Sequence, residues 1–193
     1  MSTSRLFLFS VSSVLSAALL APATFGADGK PAAKTAKTQT VKAGGISFDA
    51  PAAWKSLPPQ GSMRKAVLTV PSAKGGVDVA ELVVFAFPGG AGTVRQNIDR
   101  WQAQFKNPEG GEAKAETKKV KGKNVDVTRV SVGGVYTDPF GKTGAKPAHR
   151  LLGGIVETPD ASYFLKLVGP KDVVDAAEKD FDTLLSTIHG PGK

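Results

Sequence analysis

Two apolar segments near the C-terminal end, residues 149–157 and 161–168, are separated by only three residues. The connection includes Pro159 and Asp160, which are typical of tight turns. A crossover to a parallel strand needs about a dozen residues or more, so strands joined this tightly pair antiparallel. This connection favours an antiparallel sheet, and it constrains the fold more than any other feature of the chain.

Several earlier segments also have the alternation of apolar and polar residues that is typical of strands. Three of them precede the first predicted helix: residues 46–48, 64–70 and 78–87. Trp54 follows the first and is predicted to anchor the core. Residues 118–123 predict a β-hairpin with Gly122 in its turn. The valines that follow change phase, which predicts either a bulge near Thr128 or a strand buried on both faces.

Two helices are predicted from their start signals and apolar stripes. Thr93 is a favourable N-cap, and Gln96 three residues later completes a capping box. Apolar residues then recur at helical spacing: Val94, Ile98, Trp101 and Phe105. A closing helix is predicted to start at Pro170 and to end at Gly190 and Pro191. Its apolar stripe is formed by Val174, Ala177, Phe181, Leu184, Leu185 and Ile188.

The order of these elements predicts the fold class. Three strands, a helix, about four strands and a closing helix make an α+β fold, with an antiparallel β-sheet of about six to seven strands flanked by helices. We expect a single domain over residues 44–190, because a segment of this length is large enough to bury one core.

This order, together with an early GISFDAPAAW segment and a late SYFLKLVGPKDVVDAAEKDFDTLLSTI segment, resembles the PsbP-like family. The fold of that family is shared by an extrinsic subunit of photosystem II, a Ran-binding nuclear import factor and many exported bacterial proteins. The resemblance covers residues 45–190 and implies an α/β/α sandwich with a binding or assembly role, generally without catalysis. The shared motifs are packing features, so no metal or partner site is transferred to this chain.

Residues 1–26 have the plan of a Sec-type signal peptide. Arg5 precedes an apolar run over residues 6–20, which is shorter than the roughly 20 residues needed to cross a bilayer. Small residues follow, and cleavage is expected after Ala23 or after Gly26. We therefore predict an exported protein, periplasmic or extracellular, with no integral membrane segment after processing.

Residues 27–43 mix Ala, Lys, Thr and Pro with almost no bulky apolar side chain, which predicts a disordered linker. The chain has a net charge of +8, but much of the excess lies in this linker and the signal peptide. A nucleic-acid partner is therefore not expected. The absence of cysteine excludes disulfides, thiolate metal sites and cysteine nucleophiles.

Six residues are candidates for a ligand-binding site: Tyr136, Asp138, Phe140, Lys142, His149 and Lys166. Most of them lie in or beside a predicted loop over residues 136–148, and long loops on a rigid scaffold often carry function. Lys166 stands between Leu165 and Leu167 in a predicted strand. A lysine there either snorkels from a half-covered sheet or projects into a cleft, where it would bind an anion or have a lowered pKa.

No segment has a complete catalytic or ligand-binding motif. FGKTG at residues 140–144 lacks the first glycine of a phosphate loop, and Ser131 lacks the glycine of a nucleophile elbow. His149 and His189 have no partners at metal-binding spacing. The acidic residues of the closing helix are interpreted as a solvated face: Asp172, Asp175, Glu178, Asp180 and Asp182. We therefore expect no cofactor, no bound metal and no catalytic residue.

Three functional hypotheses follow. The first is a non-enzymatic binding or accessory protein of a cell envelope, which engages a protein partner or a small ligand through one sheet edge and the 136–148 loop. The second is an enzyme of unrecognised type with a cleft around Lys166, His149 and Asp138. The third is a structural envelope protein without a ligand. The sequence leaves the oligomeric state and the identity of any ligand or partner open.

Overall fold

The structure is a computed structural model that describes residues 37–76, 79–139 and 144–191. The predicted signal peptide, the predicted linker up to residue 36, and the candidate residues Phe140 and Lys142 lie outside the described residues. None of the helices in the described part of the chain is long and apolar enough to cross a membrane.

The described residues form a two-stranded hairpin, an eight-stranded sheet and two helices. The hairpin consists of β1 (Thr38–Ala43) and β2 (Ile46–Pro51). The sheet consists of β3 (Lys55–Leu57), β4 (Arg64–Pro71), β5 (Val79–Pro88), β6 (Phe105–Lys106), β7 (Glu116–Lys121), β8 (Asp126–Tyr136), β9 (Lys146–Glu157) and β10 (Ala161–Pro170). The helices are α1 (Val94–Gln102) and α2 (Lys171–Ser186).

The predicted antiparallel pair forms the centre of the sheet. The strand order is β3-β4-β5-β10-β9-β8-β6, with β7 also paired to β8, and every pairing is antiparallel. Between β9 and β10, the Thr158 hydroxyl donates to the carbonyl of Ala161 and accepts from its N–H, which closes the turn. The α+β fold is therefore confirmed.

The sheet separates two layers of core because neighbouring strand residues point to opposite faces. On one face, Leu165 and Leu167 pack with α2 and the β1–β2 hairpin. On the other face, Phe164 packs with Trp101 of α1. Helices thus cover both faces, as in an α/β/α sandwich.

The N-terminal boundary differs from the prediction. Thr38–Ala43 form β1 instead of the end of a linker, and they pair along their whole length with β2. Ala43 is fully buried and Val41 packs against the core, whereas the other β1 side chains are partly or fully exposed. A strand with so few buried side chains has little apolar pattern, and its backbone ladder holds it in place.

Several element ends also differ from the sequence expectations. The capping box of Thr93 and Gln96 is confirmed, but α1 ends at Gln102, and Phe105 is buried as part of β6. Pro170 is the N-cap of α2 and not its first helical residue. The helix ends at Ser186, after which His189 exchanges two backbone hydrogen bonds with Ser47 of β2.

Of the two alternatives for the valine strand, the structure has burial on both faces. The β8–β9 register runs without a shift from Val127 to Gly134, and residues 127–132 are all buried. The irregularity lies later, between Gly134 and Tyr136. Because β8 extends to Tyr136 and β9 begins at Lys146, both ends of the predicted 136–148 loop belong to strands.

Candidate ligand site

The α1 face of the sheet is only partly covered. Phe164, Lys166 and Val168 alternate along β10 and share this face. Phe164 is edge-on to Trp101, with 6.0 Å between ring centroids, and therefore lies under the helix. Lys166 and Val168 continue beyond that contact and line a cavity of about 290 Å³.

The cavity combines an apolar surface with five charged side chains. Its apolar residues are Val83 and Phe85 of β5, Val168 of β10, the ring of Tyr136 and Pro139. Its charged residues are Arg64, Glu81, Asp138, Lys146 and Lys166. Three of these are basic and two are acidic, so the side chains give the cavity one net positive charge.

The Lys166 amine is fixed by a neutral group. Its Nζ donates to Oε1 of Gln104 over 2.6 Å and lies 5.8 Å from the centroid of the Tyr136 ring. Gln104 is itself buried, and its Nε2 donates to the carbonyl of Arg100 at the end of α1. Burial lowers the pKa of Lys166 to about 8, although the charge of Asp138 opposes this shift.

Tyr136 forms one wall of the cavity. Its ring is tilted against Phe105 at a centroid distance of 5.1 Å and lies parallel to the ring of His149 at 6.1 Å. Burial raises the pKa of the phenol, and the charge of Asp138 raises it further, so the hydroxyl stays protonated. His149 Nδ1 is 2.9 Å from the carbonyl oxygen of Pro147, which only accepts, so Nδ1 is the donor.

The structure brings together three of the six residues predicted as a ligand site. Tyr136, Asp138 and Lys166 line the same cavity, and His149 contacts it only through the Tyr136 ring. Lys146, which the predicted 136–148 loop contained, also lines the cavity. The sequence interpretation missed the contributions of β4 and β5: Arg64, Glu81, Val83 and Phe85. The alternation of β5 could have predicted that Glu81, Val83 and Phe85 share one face of the sheet. However, no local sequence signal pairs β5 with β10.

A second charged cluster lies on the opposite face, between the sheet and α2. Arg129 of β8 donates to Glu178 and, over 2.6 Å, to Asp182. Arg150 of β9 donates to Glu178 and, over 2.7 Å, to Asp175. The interpretation of the acidic residues of the closing helix as a solvated face is therefore wrong for Asp175, Glu178 and Asp182, which the two arginines reach from the sheet. Asp172 and Asp180 are exposed, as that interpretation expects.

The ion pairs of this cluster have a structural role, because they join the sheet to α2. The hydrogen bond from Arg150 lowers the pKa of Glu178, and the pKa of Asp182 is also lowered, since bonds from Lys118 and Arg129 outweigh its burial. The carboxylates are thus held ionised and already paired with cations. Within the described residues, no group of three or more His, Cys, Asp or Glu side chains is arranged to hold a metal ion.

Replacing Lys166 with methionine should stabilise the protein near neutral pH by about 1 kcal/mol, because the desolvated ammonium is removed and a stem of similar size remains. The pKa of Lys166 is lower in the folded state, so the unfolded chain binds more protons between about 8 and its ordinary value of 10.5. The wild-type free energy of unfolding therefore rises with pH across this window, and the advantage of Lys166→Met should shrink there.

Urea unfolding at several pH values measures both effects. Lys55→Met is the matched control, because it removes a lysine of the exposed strand β3 that lies outside the cavity. A Lys166→Met protein that is less stable than wild type near neutral pH would show that the contacts of the amine with Gln104 and Tyr136 outweigh its desolvation.

Comparison with solved structures supports the fold. The chain is similar to cyanobacterial PsbP from Synechocystis sp. PCC 6803, with a TM-score of 0.50 and 15% identity over 86% of this chain and 98% of that one. It is also similar to a Pseudomonas aeruginosa protein of unknown function, with a TM-score of 0.48 and 11% identity over 81% of this chain and 99% of the other. The first likeness shows a PsbP-like fold. No protein-family model and no curated protein matches the sequence.

Proposed function

We propose that this chain is an exported, non-enzymatic binding protein and that its ligand is a small molecule held in the cavity beside Lys166. The observation that carries the proposal is a half-buried lysine amine at a partly apolar cavity, where desolvation lowers the pKa of that amine. Such a desolvated charge reduces stability, and residues of this kind are concentrated at functional sites. Export is supported by the signal-peptide pattern of residues 1–26.

The shape of the site favours a small ligand over a protein partner. A cavity of about 290 Å³ is near the lower end of the range for small-molecule sites. Its polar groups converge from β4, β5, β9, β10 and the segment after β8, as they do where a few polar groups orient a ligand over an apolar surface. A PsbP-like fold agrees with a binding role because its sheet provides a rigid support for such a surface.

A thermal-shift screen of the processed chain tests this proposal. The compound set contains carboxylic acids, amines, phosphorylated compounds, sugars and neutral aromatics. A ligand at a hundredfold excess over its Kd stabilises the folded state by about 2.7 kcal/mol, which corresponds to a rise in Tm of roughly 5–10 °C for a domain of this size. We expect at least one chemical class to give a saturable rise of this kind.

The location of binding is tested with variants. The rise in Tm should be lost in Tyr136→Ala and Lys166→Met and should persist in Lys55→Met, whose side chain is exposed and outside the cavity. A screen in which no class stabilises the protein would contradict the proposal. A rise that survives both cavity variants would also contradict it, because the ligand would bind elsewhere.

An enzyme that uses the Lys166 amine is the second candidate. The lowered pKa of this amine favours it, because a larger fraction is unprotonated and nucleophilic near pH 8 than for an ordinary lysine. Mass spectrometry of a screened ligand after incubation separates the two functions. Recovery of unchanged ligand supports binding alone, whereas conversion that is lost in Lys166→Met supports catalysis.

A further inference from the structure

We infer that the ligand of this cavity is a small organic acid, whose carboxylate accepts a hydrogen bond from Lys166 and whose apolar body lies against Val83 and Phe85. This inference rests on the proposed function and adds the chemical class of the ligand. It is carried by the charge, the hydrogen bonding and the size of the cavity.

The charge of the cavity suits a monoanion. Lys166, Lys146 and Arg64 approach from three strands, β10, β9 and β4, while the acidic groups are Asp138 and Glu81. Glu81 is exposed, whereas Lys166 is half-buried, and its desolvation outweighs the effect of the Asp138 charge on it. A bound carboxylate would therefore neutralise the excess charge where desolvation is greatest, and an ammonium ligand would meet a like charge at that point.

Lys166 can donate to such a carboxylate without losing its existing contact. An ammonium group has three N–H donors, and Gln104 accepts from one of them over 2.6 Å. Its neutral amide fixes the position of the amine and leaves the positive charge in place. Charge-assisted hydrogen bonds to a carboxylate are stronger than those to a neutral acceptor, so a bound acid would add a strong interaction.

The apolar surface of the cavity determines the polarity of the part of the ligand beyond its carboxylate. Val83 is buried, and Phe85 and Val168 are half-buried beside it. Arg64 also lies over the Phe85 ring, with its Cζ 5.8 Å from the centroid. A cavity of about 290 Å³ equals the volume of roughly ten water molecules at about 30 Å³ each, so the ligand has on the order of ten non-hydrogen atoms. A sugar of this size would place its hydroxyls against apolar side chains.

A matched pair of probes of this size tests the inference on the processed chain. Phenylacetate and phenylacetamide have the same shape and differ in charge, and both are titrated while the backbone amide signals of β5 and β10 are followed by NMR. We expect phenylacetate to perturb these signals saturably near pH 7, with a Kd at least about tenfold lower than that of phenylacetamide.

Variants identify the group that recognises the acid. Lys166→Met should weaken phenylacetate binding by at least about tenfold and leave phenylacetamide binding unchanged. Lys146→Met, at the partly exposed start of β9, should give a smaller loss in the same direction, and it provides a second test if Lys166→Met fails to fold. Lys55→Met, outside the cavity, should bind both probes as wild type does.

The pH dependence gives an independent readout. The titratable and charged groups around Lys166 are Arg64, Glu81, Tyr136, Asp138, Lys146 and His149. The raised pKa of Tyr136 keeps its phenol neutral, so the affinity for phenylacetate should fall as Lys166 loses its proton above about 8, by up to about tenfold per pH unit. His149→Gln should retain this fall, and Lys166→Met should lack it.

The outcomes separate this inference from the proposed function. Equal affinity for the acid and the amide, or phenylacetate binding that both lysine variants leave unchanged, would overturn the inference while a cavity ligand still exists. The inference would also be overturned, and the proposed function kept, if neither probe perturbs the signals of β5 and β10 but compounds of another chemical class from the thermal-shift screen bind in the cavity. If no compound in that screen binds in the cavity, both the proposed function and this inference are wrong.

Discussion

Replacing Gly153 with alanine is expected to lower the free energy of unfolding by about 3 kcal/mol. A Cβ at this position of β9 would lie 2.1 Å from Cζ3 of Trp101 and 2.8 Å from its Cε3. The Trp101 side chain is buried and its ring is held edge-on against Phe164. The ring therefore cannot retreat without opening the contact between α1 and the sheet.

Urea unfolding followed by circular dichroism measures this loss, and two comparisons assign it. Gly144→Ala is the control, since a Cβ there meets no atom within 4 Å, and its effect should stay within about 0.5 kcal/mol. In a Trp101→Leu background, where the ring is absent, Gly153→Ala should lower stability by less than about 1 kcal/mol. An equal loss in both backgrounds would mean that the clash with Trp101 is not the cause.

The same glycine supports the candidate site. Gly153 pairs with Lys166 in the β9–β10 register, and the absence of a side chain lets Trp101 lie directly on the sheet there. Gln104, which follows Trp101 by three residues, then reaches the Lys166 amine. The position of α1 on the sheet therefore determines how far the cavity extends. It also places Gln104 where it accepts a hydrogen bond from the Lys166 ammonium.

The parts of the fold that the sequence predicts correctly have signals confined to a few neighbouring residues. The turn between β9 and β10, the capping box at Thr93 and the apolar stripe of α2 are all of this kind. The strand β1 was missed because only Ala43 among its side chains is buried, so its pairing left no apolar alternation to find. The end of α1 was misplaced because Phe105 keeps helical spacing although it belongs to β6.

The candidate site was predictable only where single residues are unusual. Lys166 between two leucines is one such residue, and Tyr136 and Asp138 stand beside a long connection. Glu81 and Phe85 are ordinary members of a strand, and they become part of the cavity because β5 pairs with β10, about eighty residues later in the chain. The ion cluster under α2 was missed for the same reason, since Arg129 meets Asp182 through tertiary structure alone.

The ion cluster under α2 is expected to respond asymmetrically to substitution. Replacing both Glu178 and Asp182 with alanine should lower the free energy of unfolding by about 3–5 kcal/mol, because the guanidinium of Arg129 would remain buried without a carboxylate partner. The Arg129 side chain is 7% exposed, whereas those of Glu178 and Asp182 are 36% and 30% exposed. Arg129→Met should lower the free energy of unfolding by about 1 kcal/mol or less, because that variant removes the buried charge itself.

The two variants differ because the carboxylates left by Arg129→Met keep other cation partners and contact with water, whereas the Arg129 guanidinium left by the double variant has neither. After Arg129→Met, Glu178 still accepts from Arg150, and Asp182 still pairs with Lys118 at 2.7 Å. Urea unfolding at neutral and acidic pH measures the difference, with Asp180→Ala on the exposed side of α2 as the control.

The pH dependence follows from the carboxylates. The pKa values of Glu178 and Asp182 are lowered by folding, so their contribution to the free energy of unfolding is present above the ordinary carboxyl range and is lost as the pH falls through the folded values. The deficit of the double variant should therefore shrink on acidification. If Arg129→Met were as destabilising as the double variant, attraction between the ions would outweigh the desolvation of the arginine.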